Sequence, residues 1–362
     1  MTPAFSSPRQ AAAFALLLLV VLLWPVLVGK SLLPPREQSY SSVGWGDGAF
    51  PYLQEQLFEE KGDLDIAFMG SSPMWCGIDT PAVQESLAAK TNLQPKVRSL
   101  CWNRNGYDSL YFVARDLLRQ RKVRMIVFCD LSAGTSGNAH QQAPTWFRYA
   151  EDKDELEGLP ARSKLTFYTS AIVGMPRNLL GMCRSNLAPV FRENIAWPGL
   201  PSFKNPALQL GTKRTHLGCT GDRAFHEYRP ANFSPSAVRI YSDLTKDSFH
   251  FSNDSLASMQ TAFLQKMVSL AQQSSTRLVY LHLPRCSEME ATTVNERLPL
   301  ASMFPSLTIV GIPPAQLYAG LAKEDVQKLY SDDIHFNENG QRFFTPVITP
   351  ALLTLHENFA QP

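Results

Sequence analysis

The sequence predicts an α/β fold in which a parallel sheet carries helices on both faces, preceded by a membrane-spanning helix and interrupted by an insertion. Three observations lead there. Short apolar runs alternate with stretches of helical spacing between residues 64 and 134, and again from about 250 onward; such alternation favours a parallel sheet. Residues 11–28, AAAFALLLLVVLLWPVLV, are eighteen apolar residues without a charge, near the lower limit for a helix that crosses a bilayer. Between about 135 and 245 the alternation stops, and Pro, Gly and aromatic residues accumulate. With 362 residues, 44% of them hydrophobic, the chain can build one large core with additions, or two modest domains. A net charge of +2 without long charged runs supplies no field that would select nucleic acid.

Residues 1–30 are read as a membrane anchor. Arg9 precedes the apolar run, and Lys30 and Arg36 follow it, so flanking charge hardly sets the orientation. A cleaved signal peptide competes with this reading, but the exit Leu27-Val28-Gly29-Lys30 lacks the small-residue pattern of a cleavage site. A buried soluble helix is the third alternative. Pro25 would kink the helix, which membranes tolerate. Ten residues precede the span and more than 300 follow it. The expectation is a single-pass protein with its bulk outside the cytoplasm, periplasmic or at the cell surface. Residues 31–60, rich in Pro, Ser and Gly, read as a stalk, and 61–362 as the folded domain.

Within that domain, Asp65–Met69 is a short apolar run that ends in Gly70-Ser71-Ser72, a buried strand followed by a turn. Thr80 and Pro81 open a helix as cap and first residue. Lys96–Cys101 is a second strand. Residues 107–121 place Leu110, Val113, Leu117 and Leu118 at helical spacing, and Val123–Cys129 is a third strand. The insertion at about 135–245 holds a helix near 163–180. Ser252 caps a helix over 252–275, striped by Leu256, Met259, Phe263, Met267 and Leu270. Strands follow at 277–283 and 306–312, then a last helix at about 340–357. A sheet of this kind binds ligands at the carboxyl ends of its strands.

Two segments there carry chemistry. Gly70-Ser71-Ser72 follows the first strand, and a tight glycine turn can leave the Ser72 hydroxyl exposed at the sheet edge. Ser331-Asp332-Asp333-Ile334-His335 precedes the last helix. A serine hydroxyl is a weak nucleophile without a base. His335 can take its proton, while Asp332 orients the imidazole and stabilises its charged form. Asp333 is adjacent, but the spacing of three to His335 favours Asp332. Each segment alone is common: the ordinary readings are a loop serine, and a helix-capping carboxylate beside a surface histidine.

Taken together, the two segments resemble the SGNH (GDSL-like) hydrolase superfamily over most of 64–134 and 250–358. The resemblance implies a flavodoxin-like three-layer sheet, with Ser72, Asp332 and His335 as a catalytic triad. Trp102-Asn103-Arg104-Asn105-Gly106 resembles the family's second block, which implies an oxyanion hole made by the backbone N–H groups of Ser72 and Gly106. Two departures stand out. Ser71 replaces the family's Asp, and Cys129-Asp130-Leu131-Ser132-Ala133-Gly134 lacks the third-block Asn, with Asn138 only a distant substitute. Loss of one such donor typically costs about 10²–10³ in rate. With the anchor, these features are similar to the membrane-anchored branch that serves alginate-type O-acetylation and teichoic acid D-alanyl transfer. That branch implies acyl transfer, O-acetylation in particular, to a cell-envelope polysaccharide through an acyl-Ser72 intermediate, beside a multi-spanning membrane O-acyltransferase. A carbohydrate or lipid esterase, or a non-catalytic polysaccharide-binding scaffold, are the alternatives.

Trp75, Trp102, Asn105 and Tyr107 flank the site in sequence and are candidates for contacting a sugar, with core packing as the ordinary reading for aromatic residues. Six cysteines are present, and an oxidising compartment permits disulfides. Cys76 and Cys101 follow strands adjacent in such a fold, so either a bridge or free thiols can be drawn. Cys183 and Cys219 could staple the insertion. Cys129 and Cys286 read as core thiols. No cysteine pair has CxxC spacing, and His140, His216, His226 and His250 lack metal-ligand spacing. His282 reads as a strand-end core histidine. No metal and no cofactor is expected.

Overall fold

The computed structural model describes residues 7–29, 32–33, 35–41, 53–91, 94–101, 105–129, 136–174, 239–241, 249–251, 256–292, 294–296 and 307–358. The chain forms two units: Met1–Val43 with Gly137–Ile195, and Gly44–Ser136 with Ala196–Pro362.

The second unit is the α/β body. Its strands in chain order are β1 (Leu64–Met69), β2 (Val97–Ser99), β3 (Val123–Phe128), β4 (Arg239–Tyr241), β5 (Phe249–Phe251), β6 (Arg277–Leu281), β7 (Val294–Glu296) and β8 (Thr308–Gly311). Six of them form one sheet in the order β2-β1-β3-β6-β8-β4, and β5 pairs with β7 separately. Neighbours from β2 through β8 run parallel, and β4 lies antiparallel on β8. The five parallel strands therefore follow the order second, first, third, fourth, fifth. This is a doubly wound arrangement whose direction reverses between β1 and β3. β1 and β3 are buried almost throughout, which explains their apolar runs.

Among the described residues, four long helices cover the sheet: α3 (Thr80–Thr91), α4 (Tyr107–Gln120), α5 (Ser258–Gln273) and α6 (Glu338–Asn358), in chain order after α1 (Pro8–Leu27) and the short α2 (Ser72–Gly77). The chain travels outward from β1 to β2 through α3, then back to β3 through α4. Crossovers of one hand place helices of opposite travel on opposite faces. The packing agrees: α4 pairs with α5, and α3 pairs with α6.

Local chemistry shifts several expected boundaries. The carboxylate of Asp79, not Thr80, caps α3 by accepting the Ala82 N–H at 3.1 Å. Helix α5 begins at Ser258 after Ala257, so Leu256 precedes it, and Ser252 lies outside the described residues. β4 comes from the range read as insertion and is a sheet strand. Part of the expected stalk is core: Leu53 and Leu57 in a helical turn are fully buried.

The first unit contains α1, 20 residues with mean hydropathy 2.4 over its most apolar stretch, long and apolar enough to cross a membrane. Ser7 Oγ caps it by accepting the Gln10 N–H. Pro25 sits inside the helix without ending it. Beyond the helix, the Arg36 guanidinium donates to Asp152 at 2.9 Å and to Glu151 at 3.3 Å. Arg148 Nε donates to Ser39 Oγ at 3.0 Å. These bonds, with fully buried Tyr40, fold residues 36–41 onto 148–152 rather than leaving them as an extended stalk.

Candidate functional site

Ser72 heads α2, three residues beyond the carboxyl end of β1. The turn before it is forced tight. A Cβ on Gly70 would lie 3.0 Å from Met74 Cβ and 3.1 Å from Cys129 Sγ, so a side chain there would push on the turn or on the end of β3. The Asn105 side-chain N–H donates to the Gly70 carbonyl at 2.6 Å, tying the loop after β2 to the same turn.

The opposing loop is built from Asn337. Its Oδ1 accepts the N–H groups of Asn339 and Gly340 at 2.9 and 3.1 Å, capping α6. Its Nδ2 donates to the carbonyls of Lys328 and Tyr330 at 2.8 and 3.3 Å. The Ser331 N–H donates to the His335 carbonyl at 2.8 Å, and Tyr330 bridges Phe336. Residues 331–335 thus form a closed loop standing on the helix. Gly340 leaves room for it: a side chain there would strike the Leu329 carbonyl and the Phe336 ring.

Across this gap, Ser72 Oγ and His335 Nε2 are 2.7 Å apart. His335 Nδ1 lies 2.7 Å from Asp332 Oδ2. Asp332 Oδ1 also accepts the backbone N–H groups of Ile334 and His335 at 2.9 and 2.8 Å. Partial burial would raise the Asp332 pKa, but the hydrogen bonds from the His335 ring and from these two N–H groups outweigh it, so the carboxyl titrates below its ordinary range. With Nδ1–H held by the carboxylate, Nε2 is the ring nitrogen that can accept a proton from the serine hydroxyl. The neighbouring Asp333 turns elsewhere. It accepts the N–H and the hydroxyl of Ser287 at 2.8 and 3.0 Å, and its carbonyl accepts the Cys286 N–H at 2.8 Å.

Other expected site residues are placed differently. The Gly106 N–H donates to Ser109 Oγ at 3.2 Å, so within this geometry it is engaged inside the helix start rather than aimed at a ligand. Asn105 and Tyr107 are completely buried, and Trp75 is 3% exposed; they build the core under the loops and present almost no face to a sugar. Trp102 lies outside the described residues, as do Asp130–Gly134, Cys183 and Cys219. The bridge drawn between Cys76 and Cys101 is not present. Both side chains are buried, as is that of Cys129, and burial pushes the Cys101 thiol up to about 12. Cys101 Sγ instead faces the Phe68 carbonyl at 3.6 Å. Cys286 is free and half-buried in a turn after β6, not a core thiol. His282 is buried at the end of β6.

Sequence reading missed three supports of this site. Asn337 carried a legible signal, since Asn is a preferred helix cap. Ser287 and Gln260 carried none. Gln260, from α5, accepts the Tyr107 N–H at 2.6 Å and so fixes the start of α4. A cavity of about 340 Å³ is lined by Thr276, Arg277, Leu307 and Thr308, at the amino ends of β6 and β8. It lies at the opposite sheet edge from Ser72. Among the described residues, no group of three or more His, Cys, Asp or Glu side chains is placed to hold a metal ion. No family model matches the chain, and no curated protein matches it in sequence.

Proposed function

We propose that the chain is an SGNH-type serine acyltransferase that O-acylates, and in particular O-acetylates, a cell-envelope polysaccharide through an acyl-Ser72 intermediate. The observation that supports it most is the hydrogen-bonded run Ser72–His335–Asp332 at the carboxyl edge of a doubly wound sheet. In this reading Ser72 Oγ attacks the acyl carbon of a donor ester or thioester. Its proton passes to His335 Nε2, and Asp332 holds the resulting imidazolium. The bond to the leaving group breaks, and that group departs with the proton. A sugar hydroxyl then repeats the sequence in reverse: it gives its proton to His335, bonds to the acyl carbon and releases Ser72. Water in place of the sugar makes the same protein an esterase. The resemblance to anchored envelope acyltransferases supports transfer, an extracytoplasmic site and a multi-spanning O-acyltransferase as donor partner.

A non-catalytic scaffold is the second reading, favoured by the Gly106 N–H being engaged with Ser109 Oγ. One experiment separates them. Ser72→Ala and His335→Ala are compared with wild type for fluorophosphonate labelling of the full chain and for the acyl content of envelope polysaccharide in cells. Loss of both in each variant supports the triad. Normal acyl content in both variants sinks it in favour of the scaffold.

A further inference from the structure

The first unit carries a second apolar surface beside α1. Residues 161–174 are helical. One side of this helix is buried at Ser163, Phe167, Ala171 and Gly174. There Phe167 packs on Phe147 with ring centroids 4.9 Å apart, and Ser163 Oγ donates to the Gly137 carbonyl at 3.2 Å. Another side exposes Leu165, Thr169 and Val173, at spacings of four. Leu165 and Val173 are each 61% exposed. Among the described residues, every other exposed large apolar side chain belongs to α1, except Leu32 just after it and Ile334.

The depth of this helix is fixed by a bond to α1. The Tyr168 hydroxyl donates to the Leu22 carbonyl at 2.6 Å, and Ala171 lines a small crevice with Pro25 and Val28. Leu22 lies five residues before the end of α1, about 7.5 Å along the axis at 1.5 Å per residue. Helices that lie in a membrane interface sink their apolar face to about 5–10 Å. The polar atoms on the exposed side need no water: Thr169 Oγ1 and Ser170 Oγ both donate back to the Thr166 carbonyl, at 2.9 and 2.8 Å. Arg162 and Lys164 stand exposed at the helix start, where cationic heads can reach lipid phosphates.

We infer that residues 161–174 form an interfacial helix whose Leu165–Val173 face sits in the hydrocarbon of the leaflet that α1 leaves, making the first unit a two-point membrane mount. This rests on α1 spanning the bilayer. Site-directed spin labelling tests it in the full chain reconstituted in phospholipid nanodiscs. Labels are placed in Leu165→Cys, Val173→Cys, Arg162→Cys and Leu22→Cys, and the unsubstituted protein supplies the background from native cysteines. The expected result is that labels at 22, 165 and 173 relax more with oxygen than with a water-soluble nickel chelate, while 162 shows the reverse. Nickel-dominated relaxation at 165 and 173 with a lipid-like label at 22 overturns the interfacial helix and leaves the anchor standing. A water-like label at 22 overturns both. Low response to both reagents at 165 and 173 overturns the lipid assignment in favour of a protein surface.

Discussion

Replacing Asn337 probes how firmly the His335 loop stands on its helix. The side chain is 4% exposed and makes four hydrogen bonds: two from the first turn of α6 and two to loop carbonyls. Asn337→Ala removes all four. Loss of the cap costs about 1 kcal/mol, and each lost bond to a loop carbonyl adds about 0.5–1.5 kcal/mol. Together these give about 2–4 kcal/mol. Asn337→Asp keeps both cap acceptors and loses both donors, so it should fall between Ala and wild type. The assay is urea unfolding of the full chain in detergent, followed by circular dichroism, with fluorophosphonate labelling of the folded variants alongside. Labelling should slow in step with the loss of stability, because His335 is two residues from Asn337. An alanine variant within about 0.5 kcal/mol of wild type, the range of neutral surface changes, would refute the view that this side chain holds the loop.

Three further outcomes are expected. Asp332→Asn keeps an acceptor for the Ile334 and His335 N–H groups but places an amide against Nδ1, which favours the ring tautomer that donates toward Ser72. Fluorophosphonate labelling should fall by about 10⁴, as such tautomer errors do, with unfolding unchanged. Burial would raise the Asp65 pKa, but hydrogen bonds from the His356 ring and the Lys96 N–H together lower it. A lowered folded pKa contributes stability that is full above the unfolded carboxylate value and lost as pH falls through the folded one. Asp65→Asn should therefore flatten the acid limb of a stability–pH curve and leave its slope near neutrality unchanged. Gly70→Ala should slow labelling of Ser72 and destabilise the fold by about 1–3 kcal/mol, since the added methyl meets Met74 and Cys129; thermal unfolding and labelling read both.

The parallel strands were legible because a strand buried on both faces must be largely apolar, as β1 and β3 are apart from the half-buried Asp65 and Arg124 near their starts. β4 was not: three residues in a Pro- and Gly-rich region carry no period. Nor was the first unit, because Arg36 and Asp152 meet across more than a hundred residues of chain, and no local pattern announces an ion pair. The nearness of Ser72 to the loop at 332–335 followed from topology, since both lie beyond carboxyl ends of strands in such a sheet. Burial did not follow: Trp75, Asn105 and Tyr107 are neighbours of the site in sequence, yet their side chains point into the core. Adjacency of strands likewise put Cys76 and Cys101 within imaginable reach without aiming one sulfur at the other.

The two consecutive aspartates make the loop a jig of fixed length. Asp332 sets the angle of the imidazole, while Asp333 clamps the loop to the turn at Cys286 and Ser287. Each is useful only at its own position. Removing one residue between 331 and 337 would swing the clamping carboxylate toward the ring and leave Ser287 without its acceptor. The loop can therefore accept changes of side chain at Ile334, which is exposed, but not a change in its number of residues.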